Sequence, residues 1–302
     1  MNKNKLKSIF ERNIKLLEKY NKSYYQDSNP LITDQKYDDL KKKILDLEIK
    51  HPYLKSKKSP SITIGYKPSK NFKKAFHKVP MLSLANAFTE EDLSNFEKKI
   101  LNYLNKGNSF EISYSAEPKI DGISASLIYK KGKFVTGLSR GDGKEGEDIT
   151  ENLKTIKDIP IEIKNKNFPQ DIEIRGEVFI TKSDFQSIKD KFANSRNAAS
   201  GCLRQKDPKE TKKIPLKFIA YTFGFIENNK FRLQSEFLKE LKNWGFSTSE
   251  HNQVLKNLKE LKEYHNQFEK ERFDIDYDLD GLVYKVNDLK LQERLWFTSN
   301  SP

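Results

Sequence analysis

"EPKIDGISASLIYKKGKFVTGLSRGDGKEGED", residues 117–148, contains two competing instructions for the fold. Gly141, Gly143 and Gly146 have the G-x-G-x-x-G spacing that, in a dinucleotide-binding βαβ unit, follows the first strand of a parallel sheet. Against this, the strand-like runs "EISYSAEPK", "GISASLIY" and "KFVTGLSR" are separated only by the turns "IDG" and "KKG". Connections so short predict antiparallel strands, because a parallel pair needs a long crossover. The loop also carries Asp142, Glu145, Glu147 and Asp148, a poor lining for a pyrophosphate. The stretch therefore predicts an antiparallel meander whose third strand runs into a tight turn, and not a Rossmann loop.

Strand parity sorts the neighbouring side chains. Glu117, Lys119 and Asp121 fall on one side of their strand, beside a turn set by Asp121-Gly122. In "IEIRGEVFI", Ile172, Ile174, Gly176, Val178 and Ile180 face one way and Glu173, Arg175, Glu177 and Phe179 the other. In "DGLVYKV", Leu282, Tyr284 and Val286 share a face opposite Val283 and Lys285. Each strand alone suits a solvated sheet face. Taken together, they put ionisable groups on the face opposite an apolar layer several times over.

Further out, Leu6, Phe10, Ile14 and Leu17, then Tyr37, Leu40, Ile44 and Leu47, form two helical stripes over residues 1 to about 50, with Thr33 or Asp34 as a helix N-cap. "HPYLKSKKSPSITIGYKPSKNF" reads as a linker. Thr89 and Asp92 predict a capping box ahead of Leu93, Phe96, Ile100 and Leu104. Strands are expected at "KFIAYTFGF" and "GLVYKV", and helices near 183–192, 235–244 and 254–270. At 302 residues two domains are expected. One cysteine, Cys202, excludes an internal disulfide and a Cys-rich zinc site in this chain. "DYDLDG" begins like a calcium loop, but the twelfth position, which should be a bidentate Glu, is Asn287. No apolar run reaches membrane-spanning length and no signal peptide is evident, so a cytoplasmic protein is expected. A net charge of +13 invites nucleic acid, although dispersed lysines also produce such a surplus.

In order, "ITDQKYDDL", "HKVPMLSLANAF", "EPKIDG", "SRGDGKEGEDIT", "RGEVF", "NSRNAASGCLRQKDP" and "DLDGLVYKV" resemble the motifs of bacterial NAD-dependent DNA ligases, within the covalent nucleotidyltransferases. The resemblance runs over essentially the whole chain. It implies an α+β fold: a helical hairpin and linker for NAD and NMN recognition over 1–68, then a nucleotidyltransferase (adenylation) domain of antiparallel sheets flanked by helices over 69–302, its cleft between the sheets.

The resemblance makes Lys119 the nucleophile. Its amine would attack the α-phosphorus of NAD, form lysyl-AMP and expel nicotinamide mononucleotide; AMP would then pass to the 5′-phosphate of nicked double-stranded DNA for sealing. A lysine with its reference pKa is neutral in only about one molecule in 2,500 at pH 7, roughly 4–5 kcal/mol for the site to recover. Neighbouring cations such as Lys285 and Arg140 are expected to help, and Mg2+ to assist cleavage of the pyrophosphate linkage. Ser83, Leu84 and Glu117 would hold the adenine, Arg140 and Glu177 the ribose and its surroundings, and Lys285 a phosphate. Asp34, Gln35, Lys36, Tyr37 and Asp38 would grip the nicotinamide half, with Tyr24 and Tyr25 available for stacking. A monomer is expected. The sequence departs from the family at Ala85, usually Asp, and Ser195, usually Pro. Past "FTSNSP" the family continues into an R-W-x-x-A-x-K-F segment and further domains, so NAD binding is expected of this chain and complete sealing is not. Two rivals stay open: an ATP-dependent polynucleotide ligase, and an inactive NAD- or DNA-binding module.

Overall fold

Apolar residues at helical spacing build the first unit. The computed structural model describes residues 3–25, 31–32, 34–56, 59–60, 72–82, 84–87, 89–107 and 109–296. Helices α1 (Lys3–Tyr25) and α2 (Asp34–Lys50) bury Leu6, Phe10, Ile14 and Leu17 with Ile44, and a short turn at Pro52–Leu54 adds Leu54. Tyr37, Leu40 and Leu47 pack half-buried against this core. Helix α2 starts at Asp34; Thr33, the other N-cap candidate, and residues 61–71 of the linker lie outside the described residues.

The rest is built on sheets. In chain order it comprises β1 (Lys74–Phe76), α3 (Glu90–Tyr103), β2 (Tyr114–Ile120), β3 (Ile123–Lys130), β4 (Lys133–Ser139), β5 (Glu145–Glu147), α4 (Thr150–Leu153) and β6 (Asp171–Phe179). Then follow α5 (Lys182–Phe185), α6 (Ser195–Leu203), α7 (Pro208–Lys212), β7 (Lys217–Ile226), α8 (Gln234–Asn243), β8 (Gln253–Leu255), α9 (Leu258–Glu271), β9 (Leu279–Val286) and α10 (Leu289–Trp296). Among the described residues three antiparallel sheets result: β1-β5, β8-β2-β9 and β4-β3-β6-β7. The fold class is thus α+β, as expected.

Several local expectations need correction. The meander is broken at its first turn: β3 and β4 pair, but β2 joins β8 and β9 in a different sheet. Asp121-Gly122 therefore carries the chain between sheets instead of closing a hairpin. The crossing runs hard against β6, where a Cβ on Gly122 would lie 2.4 Å from the Val178 carbonyl oxygen. The helix expected at 183–192 is two short pieces, α5 and a turn at Lys189–Lys191. The one expected from 254 begins at Leu258, because Val254 is drawn into β8 and Asn257 caps α9 by accepting from Glu260 N.

Two cores hold the sheets. Ala125, Leu127 and Tyr129 of β3, Ile172, Ile174 and Val178 of β6 and Phe218 of β7 pack with Ala198 and Cys202 of α6 and Phe237 and Leu241 of α8. Tyr114 and Ala116 of β2 pack with Leu93 and Ile100 of α3 and Leu261 of α9. Thr89 and Asp92 form the predicted capping box. The opposite face of β6 is buried as well: Glu173, Arg175 and Glu177 are all nearly inaccessible, which excludes a merely solvated face. Charged groups are stable there only with partners.

Candidate active site

Strand β2 positions its residues through a break in its own ladder. It pairs Ser115 with Lys285 and Glu117 with Val283, and the register shifts between Pro118 and Ile120. Strand β8 pairs only as far as Ala116. Pro118, which has no N–H to donate, thus sits where that side of β2 is an edge. Before the break, Glu117 is 3% exposed. Its Oε1 accepts from Ser115 Oγ at 2.9 Å and Gln234 Nε2 at 3.0 Å, and its Oε2 from Lys285 Nζ at 2.6 Å. After the break, Lys119 emerges with a side chain 39% exposed and forms an ion pair with Asp280 at the start of β9.

The second sheet supplies the facing groups. Ser124 of β3 lies opposite Glu177 of β6 in register and donates its hydroxyl to Glu177 Oε2 at 2.9 Å. Burial pushes the Glu177 carboxyl up to about 7, opposed by Arg196, the Ser124 hydrogen bond and Lys119. Arg196 Nη1 donates to Asp121 Oδ1 at 2.8 Å. Between β6 and β7 the pairing steps from Arg175↔Thr222 to Gly176↔Ala220, leaving Tyr221 as the extra residue of a bulge. The Tyr221 carbonyl accepts from Lys285 Nζ at 3.1 Å and Gln234 Nε2 at 2.7 Å, and its ring centroid is 5.3 Å from Lys285 Nζ. Arg140, Arg175 and Glu177 all act electrostatically on the Tyr221 hydroxyl, whose titration burial shifts upward. Sheet-to-sheet hydrogen bonds thus bring Lys285 and, through Gln234, Glu117 to the bulged residue, while Glu177 and Arg140 act on its hydroxyl from its own sheet.

The glycine loop serves a different purpose from phosphate binding. Gly141 has φ 58°, and a Cβ there would fall 1.8 Å from the Glu145 carbonyl oxygen. Asp142 Oδ1 accepts from the N–H groups of Lys144 and Glu145 at 2.9 and 2.8 Å, so these donors are turned inward. The carbonyls of Gly143 and Lys144 accept from Met81 N at 2.7 Å and His77 N at 2.9 Å. The loop is a clasp for the strap 77–81. Arg140 Nε donates to Met81 O at 3.3 Å, His77 Nε2 to Arg140 O at 3.1 Å, and Arg175 to the carbonyls of Val79 and Pro80 while pairing with Glu173. Burial holds His77 below its usual value against the pull of Glu173. The strap leads to Leu84, 43% exposed; Ser83 lies outside the described residues.

Two expectations about cations differ from this geometry. The group nearest the Lys119 ammonium is the Asp280 carboxylate, not a cation. Lys285 is held at Glu117, and the Arg140 Nε at a carbonyl. In the hairpin, the Tyr37 hydroxyl donates to Asn21 Oδ1 at 2.7 Å, a bond within the helical pair, and Lys36 is exposed. Tyr24 and Tyr25 end α1, while Asp34, Gln35 and Asp38 open α2; the side chains of these five are outside the described residues. Among the described residues no group of three or more His, Cys, Asp or Glu could hold a metal ion; a magnesium ion held chiefly by substrate phosphates needs no such cluster. Asp276 and Asp278 of the calcium-like run accept instead from Ser183 and Ser195. Sequence reasoning missed Ser124, Arg196, Tyr221, Gln234 and Asp280. Only Asp280 carried a local signal, as the acid beside the turn glycine in "DLDG".

Comparison with known proteins bears directly on these groups. A family model described as the NAD-dependent DNA ligase adenylation domain matches residues 69–302, and one described as the DNA ligase-like, N-terminal NAD+-binding domain matches residues 4–65. A DNA ligase of Pelagibacter ubique (strain HTCC1062) is 58% identical over 100% of this chain, which covers 45% of that protein. A DNA ligase of Parvibaculum lavamentivorans is 44% identical over 95% of this chain and 41% of its own length, and one of Rickettsia massiliae 44% identical over 94% and 42%. The chain spans less than half the length of these relatives.

Proposed function

The chain belongs to the NAD-dependent DNA ligase family, and from that premise we propose that Lys119 takes AMP from NAD. Its Nζ gives up one proton to become the neutral amine and attacks the α-phosphorus; a P–N bond forms, a second N–H proton is released to solvent, the pyrophosphate bond breaks, and nicotinamide mononucleotide leaves. The adenylate then passes to the 5′-phosphate of nicked DNA. The observation that carries this reading is the placement of Lys119 two residues beyond the buried Glu117, at the ladder break, within electrostatic reach of Glu177. The ion pair with Asp280 has to open before the amine can attack. Arriving phosphate oxygens offer the ammonium a competing partner.

Residues 69–302 act as the adenylation domain and 1–68 as the NAD-recognition unit. In the adenylation domain Glu117, Ser83 and Leu84 hold the adenine. Glu117 has one lone pair left on Oε2 beside Lys285, whose ammonium retains one of its three hydrogens. Such an acceptor beside a donor matches the amino group and adjacent ring nitrogen of adenine. Lys285 therefore serves the base end in this geometry, and contact with a phosphate would require it to leave Glu117. Arg140 and Glu177 serve the ribose. In the hairpin, Asp34 to Asp38 hold the nicotinamide half, with Tyr24 and Tyr25 stacking. Magnesium would supply charge neutralisation at the pyrophosphate linkage as nicotinamide mononucleotide leaves.

Intact-mass analysis after incubation with NAD or ATP and magnesium tests this, on the chain alone and continued with the remaining segment of the Pelagibacter relative. NAD binding by the chain, an adenylate adduct from NAD but not ATP in the longer protein, and no adduct in Lys119→Ala are expected. An adduct from ATP alone, or one that survives Lys119→Ala, would overturn it.

A further inference from the structure

Gln234, the first residue of α8, is wholly buried between the two larger sheets. Its place is set by stitching at the start of that helix. Gln234 N donates to Asn287 O at 2.8 Å, Ser235 N to Asn287 Oδ1 at 3.0 Å, and Leu233 bridges to Asp288. The side-chain amide nitrogen then donates to Glu117 Oε1 on one side and to the bulged Tyr221 carbonyl on the other, at 3.0 and 2.7 Å. Both neighbours are pure acceptors, so the amide cannot be flipped without setting oxygen against oxygen. In this orientation Gln234 Oε1 is a buried acceptor with no donor among the described residues. A purely structural side chain gains nothing from such an unsatisfied atom. What the arrangement secures is the orientation of Glu117: Ser115 and Gln234 saturate Oε1, and Lys285 takes one position on Oε2.

We infer that Gln234 is a positioning residue for base selection: by locking Glu117 with one open acceptor, it makes the site take a 6-amino purine and reject a 6-oxo purine. A 6-oxo purine presents a carbonyl where Glu117 needs a donor and an N–H where Lys285 needs an acceptor, so both contacts fail together. Without the Gln234 amide, Glu117 keeps only Ser115 and Lys285 as donors and can turn away from this orientation, and its selectivity falls. Gln234 touches no substrate atom; its effect passes through Glu117.

This inference rests on the NAD reading above, and one experiment separates their failures. Calorimetric affinities for NAD and for nicotinamide hypoxanthine dinucleotide are measured without magnesium on the chain and on Gln234→Met, which keeps the length and lacks the donors. The preference for NAD is expected to fall about tenfold, the worth of one hydrogen bond to a charged group. Affinity for the hypoxanthine dinucleotide should stay nearly constant, which general loosening of the fold would not produce. Should the methionine variant not fold, Gln234→Asn, too short to reach both acceptors, is expected to behave alike. A chain that binds neither dinucleotide removes the NAD reading and this inference with it. A chain that prefers NAD, with an unchanged preference in the variants, overturns the inference alone.

Discussion

Glu177 is a carboxyl placed where burial outweighs the cations around it, and its titration near 7 links it to stability. The raised value means that the folded state holds a proton that the unfolded chain releases near 4.5. Its unfavourable contribution is therefore absent below about pH 4.5, grows as pH rises toward 7, and is constant above. Glu177→Gln keeps an acceptor for the Ser124 hydroxyl and removes the charge. Denaturant melts without nucleotide should show the variant gaining stability over the parent between pH 5 and 8, on the order of 2–3 kcal/mol at the upper end. Equal stability differences at both pH values would mean that Glu177 is ionised throughout. The same variant should bind NAD more weakly if the carboxylate accepts from a ribose hydroxyl.

Among the elements, the two ladder irregularities do more for the site than the regular pairs. The shift at Pro118 separates the buried Glu117 from the emergent Lys119, and the bulge at Tyr221 frees a carbonyl to receive donors from the other sheet. Helix α3 braces β2 from behind through Leu93, Ile100 and Leu101. Its start depends on Thr89, whose Oγ1 accepts from Asp92 N at 3.1 Å while Asp92 Oδ2 accepts from Thr89 N at 3.0 Å. Thr89→Ala should lower unfolding free energy by about 1 kcal/mol, read from urea melts. NAD affinity should hardly change, since the cap's hydrogen bonds join Thr89 and Asp92 to each other and to none of the ionisable cluster; a large loss of affinity would tie α3 more directly to the site.

For the molecule, the decisive event is the passage from β2 to β3, which takes the chain from one sheet to the other over two residues. Gly122 permits it, because β6 leaves no room for a side chain: a Cβ would meet Val178 O at 2.4 Å and Glu177 Cγ at 2.9 Å. Gly122→Ala should push the sheets apart where β2 passes to β3. The expected cost is about 1–3 kcal/mol of stability, with NAD binding weakened beyond what thermal melts alone would explain. Retained affinity at reduced stability would show that the site tolerates the displacement.

Helical stripes, the Thr89 capping box, the alternation on β6 and β9 and the choice against a Rossmann loop were all legible in the chain, because each depends on neighbours a few residues apart. The motif order likewise pointed to Glu117, Lys119, Glu177 and Lys285 before any geometry was known. What the chain left open was partner choice. The turn at Asp121-Gly122 announces a change of direction but not which strand lies beside β2, and that follows from burying Tyr114 and Ala116 against α3 and α9. Gln234, Ser124, Tyr221 and Arg196 gave no local signal, since their roles arise only where two sheets meet. Hydrogen bonds across such a junction join residues more than a hundred positions apart, as Gln234 and Glu117 are, and only the packed structure brings their donors and acceptors into register.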